Sequence, residues 1–258
     1  MSVLDPENAP SATGHYYGDD LAFIHDAGFG DVARHAAGRL LQELGRARLP
    51  AGMVVDLGCG SGILAAVLAE AGYCVLGLDV SGAMIDLARK RVPTAEFRVG
   101  SFVSTDFPSC VAIVAVGEVL NYTFDASNDD RARLQVFRRA YEALVPGGVL
   151  LFDIAGLERM PAGEVRRTFT EGPGWVVLVE SRRDDGTHML TRTIDTFRDM
   201  GGLYRRDSEV HRLALLDLRS TLQVVTEAGF DTCIIGQYSD LPLPPGVAVF
   251  LARKPDNR

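Results

Sequence analysis

Two carboxylates and a run of glycines carry the first recognisable chemistry in this sequence. Asp56 stands just ahead of Gly58-x-Gly60-x-Gly62 in "VVDLGCGSG", and Asp79 closes the apolar run "YCVLGLDV" further on. Glycines at every second position bare the backbone, so that a ligand can lie against it. A helix starting there adds unpaired N–H groups. An acid at the end of the next strand can accept both hydroxyls of a ribose. Dinucleotide sites space their glycines GxGxxG and seat a pyrophosphate on the helix N-terminus. Here the spacing is GxGxG, and Asp56 would repel a pyrophosphate. The pair of acids suits a nucleoside with a cationic amino group and no phosphate. For the glycines alone, a tight strand-to-helix turn without a ligand is the plainer alternative.

Positioning such residues requires alternating strands and helices. Residues 19–45 read as helical, with Leu21, Ile24, Val32, Leu40, Leu41 and Leu44 on the apolar side. "MVVDL" then begins a series of short apolar strands, continued by "YCVLGLDV", "AEFRVGS", "VAIVAVG" and "VLLFDIAG". Helices "SGILAAVLAEAG", "GAMIDLARKR" (capped by Ser81) and "DDRARLQVFRRAYEALV" separate them, and "PGG" marks a turn before the fifth strand. This alternation predicts a doubly wound, mostly parallel α/β sheet. Beyond Gly156 the period becomes two. "WVVLVESRR", "LTRTIDTFRDM" and "LYRRDSEVHRL" predict an inserted antiparallel β-meander turning at "DDG" and "MGG". Helix "DLRSTLQVVTEAG" and a hairpin of "CIIGQY" with "VAVFLARK" complete the chain.

Composition narrows the partners. The 258 residues are 47 % hydrophobic, which argues for a sizeable core rather than disorder, and the formal net charge is −8. With a sequence pI of about 5.1, nucleic acid and anionic membranes are poor fits. The four cysteines are scattered, as reduced thiols in a cytoplasmic protein would be. The acidic, polar first twenty residues do not read as a signal peptide, and residues 1–13 read as loose. No apolar run approaches the ~20 residues of a membrane span.

The stretch "VVDLGCGSGILAAVLAEAGYCVLGLDVSGAMIDLARKR" resembles the first two motifs of class I S-adenosylmethionine-dependent methyltransferases of the small-molecule type. "YEALVPGGVLLFDI" resembles their late helix and fifth strand. The likeness is strong over about residues 50 to 155. It implies a Rossmann-like seven-stranded sheet with an antiparallel last strand. It also implies S-adenosylmethionine as cofactor, S-adenosylhomocysteine as product, and methyl transfer. One domain is expected, with a helical N-terminal lid (1–48), a cofactor-binding core (49–160), the antiparallel insertion over the active site (161–215), and a last helix with hairpin (216–258). Carried over by position, Asp56, Gly58 and Gly60 surround the methionine part, Asp79 takes the ribose hydroxyls, and Val80 and Met84 pack near the adenine. Ser101 replaces the acid usual after the third strand, with Phe102 as a wall, and Gly117 offers its carbonyl to the amino group. In the lid, "GHYYGDDLAFIHD" resembles an aromatic segment in which Tyr16 or Tyr17 approaches the methionine end, with His25 at a place often aromatic.

For the acceptor side, "AVGEVLNYTFD" matches the fourth-strand tip of small-molecule members, which makes Glu118, Asn121 and Tyr122 candidates for the substrate wall. Asn121 as a loop cap and Tyr122 as packing are the structural alternatives. The meander resembles a sheet that roofs the active site. His211 lies on its last strand, with Glu209 on the same face. Glu118 and His211 are thus the expected catalytic pair, orienting the nucleophile or taking its proton; a structural histidine is an equal alternative. Arg192, Arg198 and Arg205 read as a solvated sheet face in preference to a contact with an acidic substrate group. Trp175 reads as packing.

Substrate class follows by elimination. The adenine-modifying "DPPY" tip and a Pro-Cys pair are both absent, and no RNA-binding module is apparent. A small molecule with an N or O acceptor fits, such as an amino acid, an amino sugar or a secondary metabolite. Metal independence and a monomer or homodimer are expected. The rival functions are a nicotinamide-dependent oxidoreductase and a non-catalytic binder of S-adenosylmethionine.

Overall fold

The computed structural model describes residues 16–184 and 186–256. The expectation for residues 1–13 lies outside them. The first helical stretch is two helices, α1 (Asp19–Gly28) and α2 (Asp31–Arg46). The break falls at Phe29-Gly30, where Gly30 comes so close to Ile63 that a Cβ would sit 2.7 Å from its Cδ1.

The core alternates as predicted: β1 (Met53–Leu57), α3 (Ile63–Glu70), β2 (Cys74–Asp79), α4 (Gly82–Arg91), β3 (Glu96–Val99), β4 (Cys110–Ala115), α5 (Asp130–Ala143) and β5 (Leu144–Ala155). Local chemistry starts the helices. Ser81 Oγ accepts the Met84 N–H at the head of α4, and the Asp129 side chain accepts the Ala132 N–H at the head of α5. The "PGG" segment is not a separate turn but part of the irregular start of β5, where the pairing with β4 slips between Cys110 and Ala112.

The insertion has four strands rather than three: β6 (Val165–Gly172), β7 (Trp175–Arg183), β8 (Met189–Asp199) and β9 (Tyr204–Ala214). α6 (Leu218–Glu227), capped by Asp217, leads to β10 (Asp231–Ile234) and β11 (Val247–Arg253).

The large sheet runs β10-β11-β5-β4-β1-β2-β3, and β11 is antiparallel to both of its neighbours. β4, central and apolar, is buried at every residue. One face is covered by α2, α3 and α4 through Leu40, Leu44, Leu64, Leu68 and Ile85; the other by α5 and α6 through Val136, Phe137 and Val225. Phe152 and Phe250 stack across β5 and β11 at 4.9 Å, and burying each ring contributes roughly 2–3 kcal/mol. The meander forms a second sheet, β6-β7-β8-β9. α1 packs on it through Leu21 and Ile24 against Trp175, Val177 and Ile194. Trp175 lies so close that a Cβ on Gly28 or Gly172 would come within 2.7 or 2.4 Å of its ring. No helix among the described residues is long and apolar enough to cross a membrane.

Candidate active site

β1 turns into α3 through three left-handed glycines, Gly58 (φ 65), Gly60 (φ 52) and Gly62 (φ 76), a conformation that costs other residues roughly 1–2 kcal/mol each. Two of them are also sterically required. A Cβ on Gly58 would lie 2.5 Å from Val119 Cγ2, and one on Gly62 3.1 Å from the Ala88 backbone. Gly60 differs, because a Cβ there would meet only Met84 Sδ at 4.0 Å. This glycine leaves the backbone bare toward open space. Asp79 holds the turn in place: Oδ2 accepts the Gly60 N–H at 2.9 Å and Oδ1 the Ser81 N–H at 2.8 Å. Burial raises its carboxyl even so. Each oxygen keeps lone-pair capacity for another donor.

Asp56 is 2 % exposed, and its Oδ2 is sealed without a hydrogen-bond partner among the described residues. Burial, and then the charge of Asp79, pushes its carboxyl up to about 8. A buried carboxyl left this way is costly unless a cation comes to meet it.

A cavity of about 640 Å³ opens between the strand tips of the large sheet, the meander and α1. Of the predicted cofactor residues, Tyr17, Gly58, Gly60, Asp79, Val80, Met84, Ser101, Phe102 and Gly117 all border it. Asp56 lies behind the glycine turn instead. Gly117 (φ 96) has open space where a Cβ would be.

The acceptor side departs from expectation. Glu118 borders the cavity but is clamped, with Oε1 on Arg159 Nε at 2.8 Å and Oε2 on Arg192 Nη2 at 2.6 Å. Burial works to raise its carboxyl, and the Arg192 and Arg159 charges outweigh burial and hold it low. A carboxylate so paired is a poor proton acceptor. Asn121 does not border the cavity. Its Nδ2 donates to the Ala155 and Ala214 carbonyls and its Oδ1 accepts the Ala155 N–H, so it ties the tip of β5 to the end of β9. This is neither a substrate contact nor a loop cap. His211 is 0 % exposed and also off the cavity, walled in by Tyr16, Tyr17, Tyr122 and Phe124. Its Nε2 meets Glu209 Oε2 at 2.8 Å, and Glu209 in turn accepts the Tyr17 and Gly18 N–H groups at 2.7 and 2.8 Å. The histidine therefore packs beneath the Tyr16–Gly18 segment and does not border the cavity. Tyr122 does border the cavity; its hydroxyl lies 3.1 Å from that of Tyr17 and accepts a long 3.4 Å contact from Arg192 Nη1.

Arg192 belongs to the cavity wall, not to a solvated face, whereas Arg198 and Arg205 hold the buried Asp20 of α1. Sequence reasoning missed Asp153, which accepts the Gly117 and Glu118 N–H groups and the Tyr238 hydroxyl, and is lifted by burial to about 6. Its place in "LLFDI", at the tip of a core strand, was the available signal. Arg159, on the short 3₁₀ turn after β5, had none. Ser81 does more than cap α4, since its hydroxyl donates to the Tyr17 carbonyl at 2.7 Å. His25 borders the cavity beside Tyr17 and Phe29, and burial lowers its imidazole to about 4, so it is neutral at pH 7.

Fold and site define a class: a doubly wound nucleoside-binding sheet with a reversed final hairpin and a roofing insertion. Residues 54–148 match the family model described as a methyltransferase domain. A relative named as a methyltransferase from Geobacillus sp. (strain WCH70) is 30 % identical over 187 residues, 69 % of this chain and 73 % of that one. Two solved structures share the fold at low identity. An S-adenosylmethionine-dependent methyltransferase from Clostridium acetobutylicum ATCC 824 is 16 % identical with a TM-score of 0.77, the likeness covering 91 % of this chain and 97 % of that one. The sugar N-methyltransferase KedS8 from Streptoalloteichus sp. ATCC 53650 is 20 % identical with a TM-score of 0.73 over 99 % of both chains.

The chain belongs to the S-adenosylmethionine-dependent methyltransferases. Its cofactor is S-adenosylmethionine, which removes the nicotinamide alternative. The residues present fit that group: a lone buried carboxylate for positive charge, an acid with spare lone pairs for hydroxyls, and bare backbone at Gly60 and Gly117 for close approach.

Proposed function

We propose that this protein transfers a methyl group from S-adenosylmethionine to an N or O atom of a small molecule. The observation that carries this is the deep cavity, with glycine turn and acids on one side and the meander on the other. Its dimensions suit a cofactor with one modest acceptor. The fold shared with a sugar N-methyltransferase supports the same class, and the negative net charge supports an acceptor other than nucleic acid.

Asp79 holds the ribose hydroxyls, with Val80 and Met84 beside the adenine and Ser101 and Phe102 at its edge. Gly58, Gly60 and Gly117 line the methionine part, which Tyr17 closes and Asp56 balances from behind. S-adenosylmethionine supplies a methyl already activated by a sulfonium. The protein therefore has to align the acceptor and exclude water. The Tyr17 and Tyr122 hydroxyls orient the nucleophile. Burial pushes both phenols up, so they stay protonated and act as hydrogen-bonding groups. Glu118 and His211 take no proton in this scheme. Glu118 positions Arg159 and Arg192, and His211 with Glu209 positions Tyr17. An amine acceptor then has to arrive neutral.

Incubation with methyl-labelled S-adenosylmethionine and a panel of amino sugars, amino acids and hydroxylated metabolites tests this. Label on at least one small acceptor, and none on RNA, is the expected result. Label on RNA alone overturns the assignment.

A further inference from the structure

Two guanidiniums share a single carboxylate on the meander side of the cavity. Arg159 and Arg192 flank Glu118, so the trio carries one positive charge in excess. Arg159 uses only its Nε in this contact. No hydrogen-bond partner among the described residues reaches its Nη1 or Nη2, and neither nitrogen is sealed from solvent. The residue borders the cavity with its side chain 17 % exposed, so this planar pair of donors is accessible there. The third arginine of the wall, Arg166, already has Glu164 at 2.9 Å.

The other acids on the cavity border are committed elsewhere. Asp79 holds the Gly60 and Ser81 amides, Asp125 holds Ser127, and Asp153 holds Gly117, Glu118 and Tyr238. The excess charge therefore has no counter-charge from the described wall. Such a guanidinium edge pairs with carboxylate or phosphate oxygens through two parallel hydrogen bonds.

The backbone of the turn that carries Arg159 is held from behind. Gly246 (φ 74) lies against the turn so closely that a Cβ would fall 2.2 Å from the Arg159 nitrogen, and the Gly156 N–H donates to the Gly246 carbonyl at 2.7 Å. With its backbone and its Nε both held, Arg159 loses less freedom than an untethered arginine when a ligand arrives.

We propose that Arg159, steadied by Glu118 and Arg192, anchors an oxyanion group of the methyl acceptor, a carboxylate or a phosphate. This rests on the small-molecule reading given above. The acceptor is then an acid or a phosphate ester that carries its nucleophilic N or O away from the anionic end. Specificity comes from that charge, and alignment from the tyrosine pair.

The test uses protein saturated with S-adenosylhomocysteine and titrated with succinate or with inorganic phosphate. Arginine side-chain NMR signals, assigned with Arg159→Lys and Arg192→Lys, report the contact. The expected result is a saturable shift of the Arg159 signal with one or both anions, and at least tenfold weaker binding in Arg159→Gln. Affinity for S-adenosylhomocysteine should stay within twofold. The stronger of the two anions names the source of the charge. Absence of saturable binding of either anion overturns the proposal. So does a tenfold loss of S-adenosylhomocysteine affinity in Arg159→Gln, or competition between the anions and S-adenosylhomocysteine, since Arg159 would then hold the cofactor's own carboxylate. Arg159→Lys, which keeps the charge, should retain the wild-type melting temperature and part of the anion affinity. Neither arm needs turnover. Failure to methylate any small molecule therefore sinks the functional reading alone, and failure to bind anions sinks the anchor alone.

Discussion

Asp56 is a carboxyl kept inside the protein without a hydrogen-bonding partner, and its lift to about 8 makes it a proton store. An unfolded chain releases that proton near 3.9. Between the two values Asp56 binds more proton in the folded state, so its contribution to stability without cofactor is full below about pH 4 and falls as pH rises toward 8, by at most about 1.4 kcal/mol per pH unit. Asp56→Asn should flatten that slope, as melting curves from pH 5 to 8 will show. Positive charge from S-adenosylmethionine favours the ionised form, so binding at pH 7 should release up to about one proton. Calorimetry in buffers of different ionisation enthalpy measures this, and equal heats in all of them would count against it. Asp79 is the second residue to probe. Asp79→Ala removes the acceptor for two backbone amides and, on the proposed reading, for the ribose, and should weaken S-adenosylhomocysteine binding at least tenfold, about 1.4 kcal/mol. Both acids and their glycines were legible in the sequence because their roles are local. Arg192 and Glu118 were not, since whether a charge faces water or a cavity depends on which sheet lies opposite.

Among the elements, the junction between the two sheets combines backbone bonds, a small apolar cluster and the side chain of Asn121. Asn121→Ala would leave the Ala155 N–H and the Ala214 carbonyl without their side-chain partner, whereas the Ala155 carbonyl keeps the Leu216 N–H; the cost is about 1–3 kcal/mol, readable in the urea midpoint. The seating of the segment ahead of α1 depends on another side chain. Glu209→Ala should free the Tyr17 and Gly18 amides, raising their hydrogen-exchange rates and weakening S-adenosylhomocysteine binding while the exchange of β4 amides stays slow. β1 to β5 were legible from apolar runs of strand length. β6 was not: it is an edge strand exposed along most of its length, so it lacks the alternation that burial imposes on β7 to β9. The division of α1 from α2 depended on Gly30 lying against Ile63, a contact between distant segments that helical periodicity does not register.

The whole molecule is built on two sheets with separate cores. The large sheet and its helices supply one side of the cavity, whereas α1 and the meander supply the other through a small core of their own. Trp175 sits in that small core, 4 % exposed, against Gly28 at the end of α1 and Gly172 of β6. It is also the only tryptophan in the chain. The protein thus contains its own optical gauge of how α1 seats on the meander. Emission excited at the indole band should be blue and resist acrylamide quenching even without S-adenosylhomocysteine. Gly28→Leu, which would wedge the indole from its seat, should redden the emission and open it to the quencher.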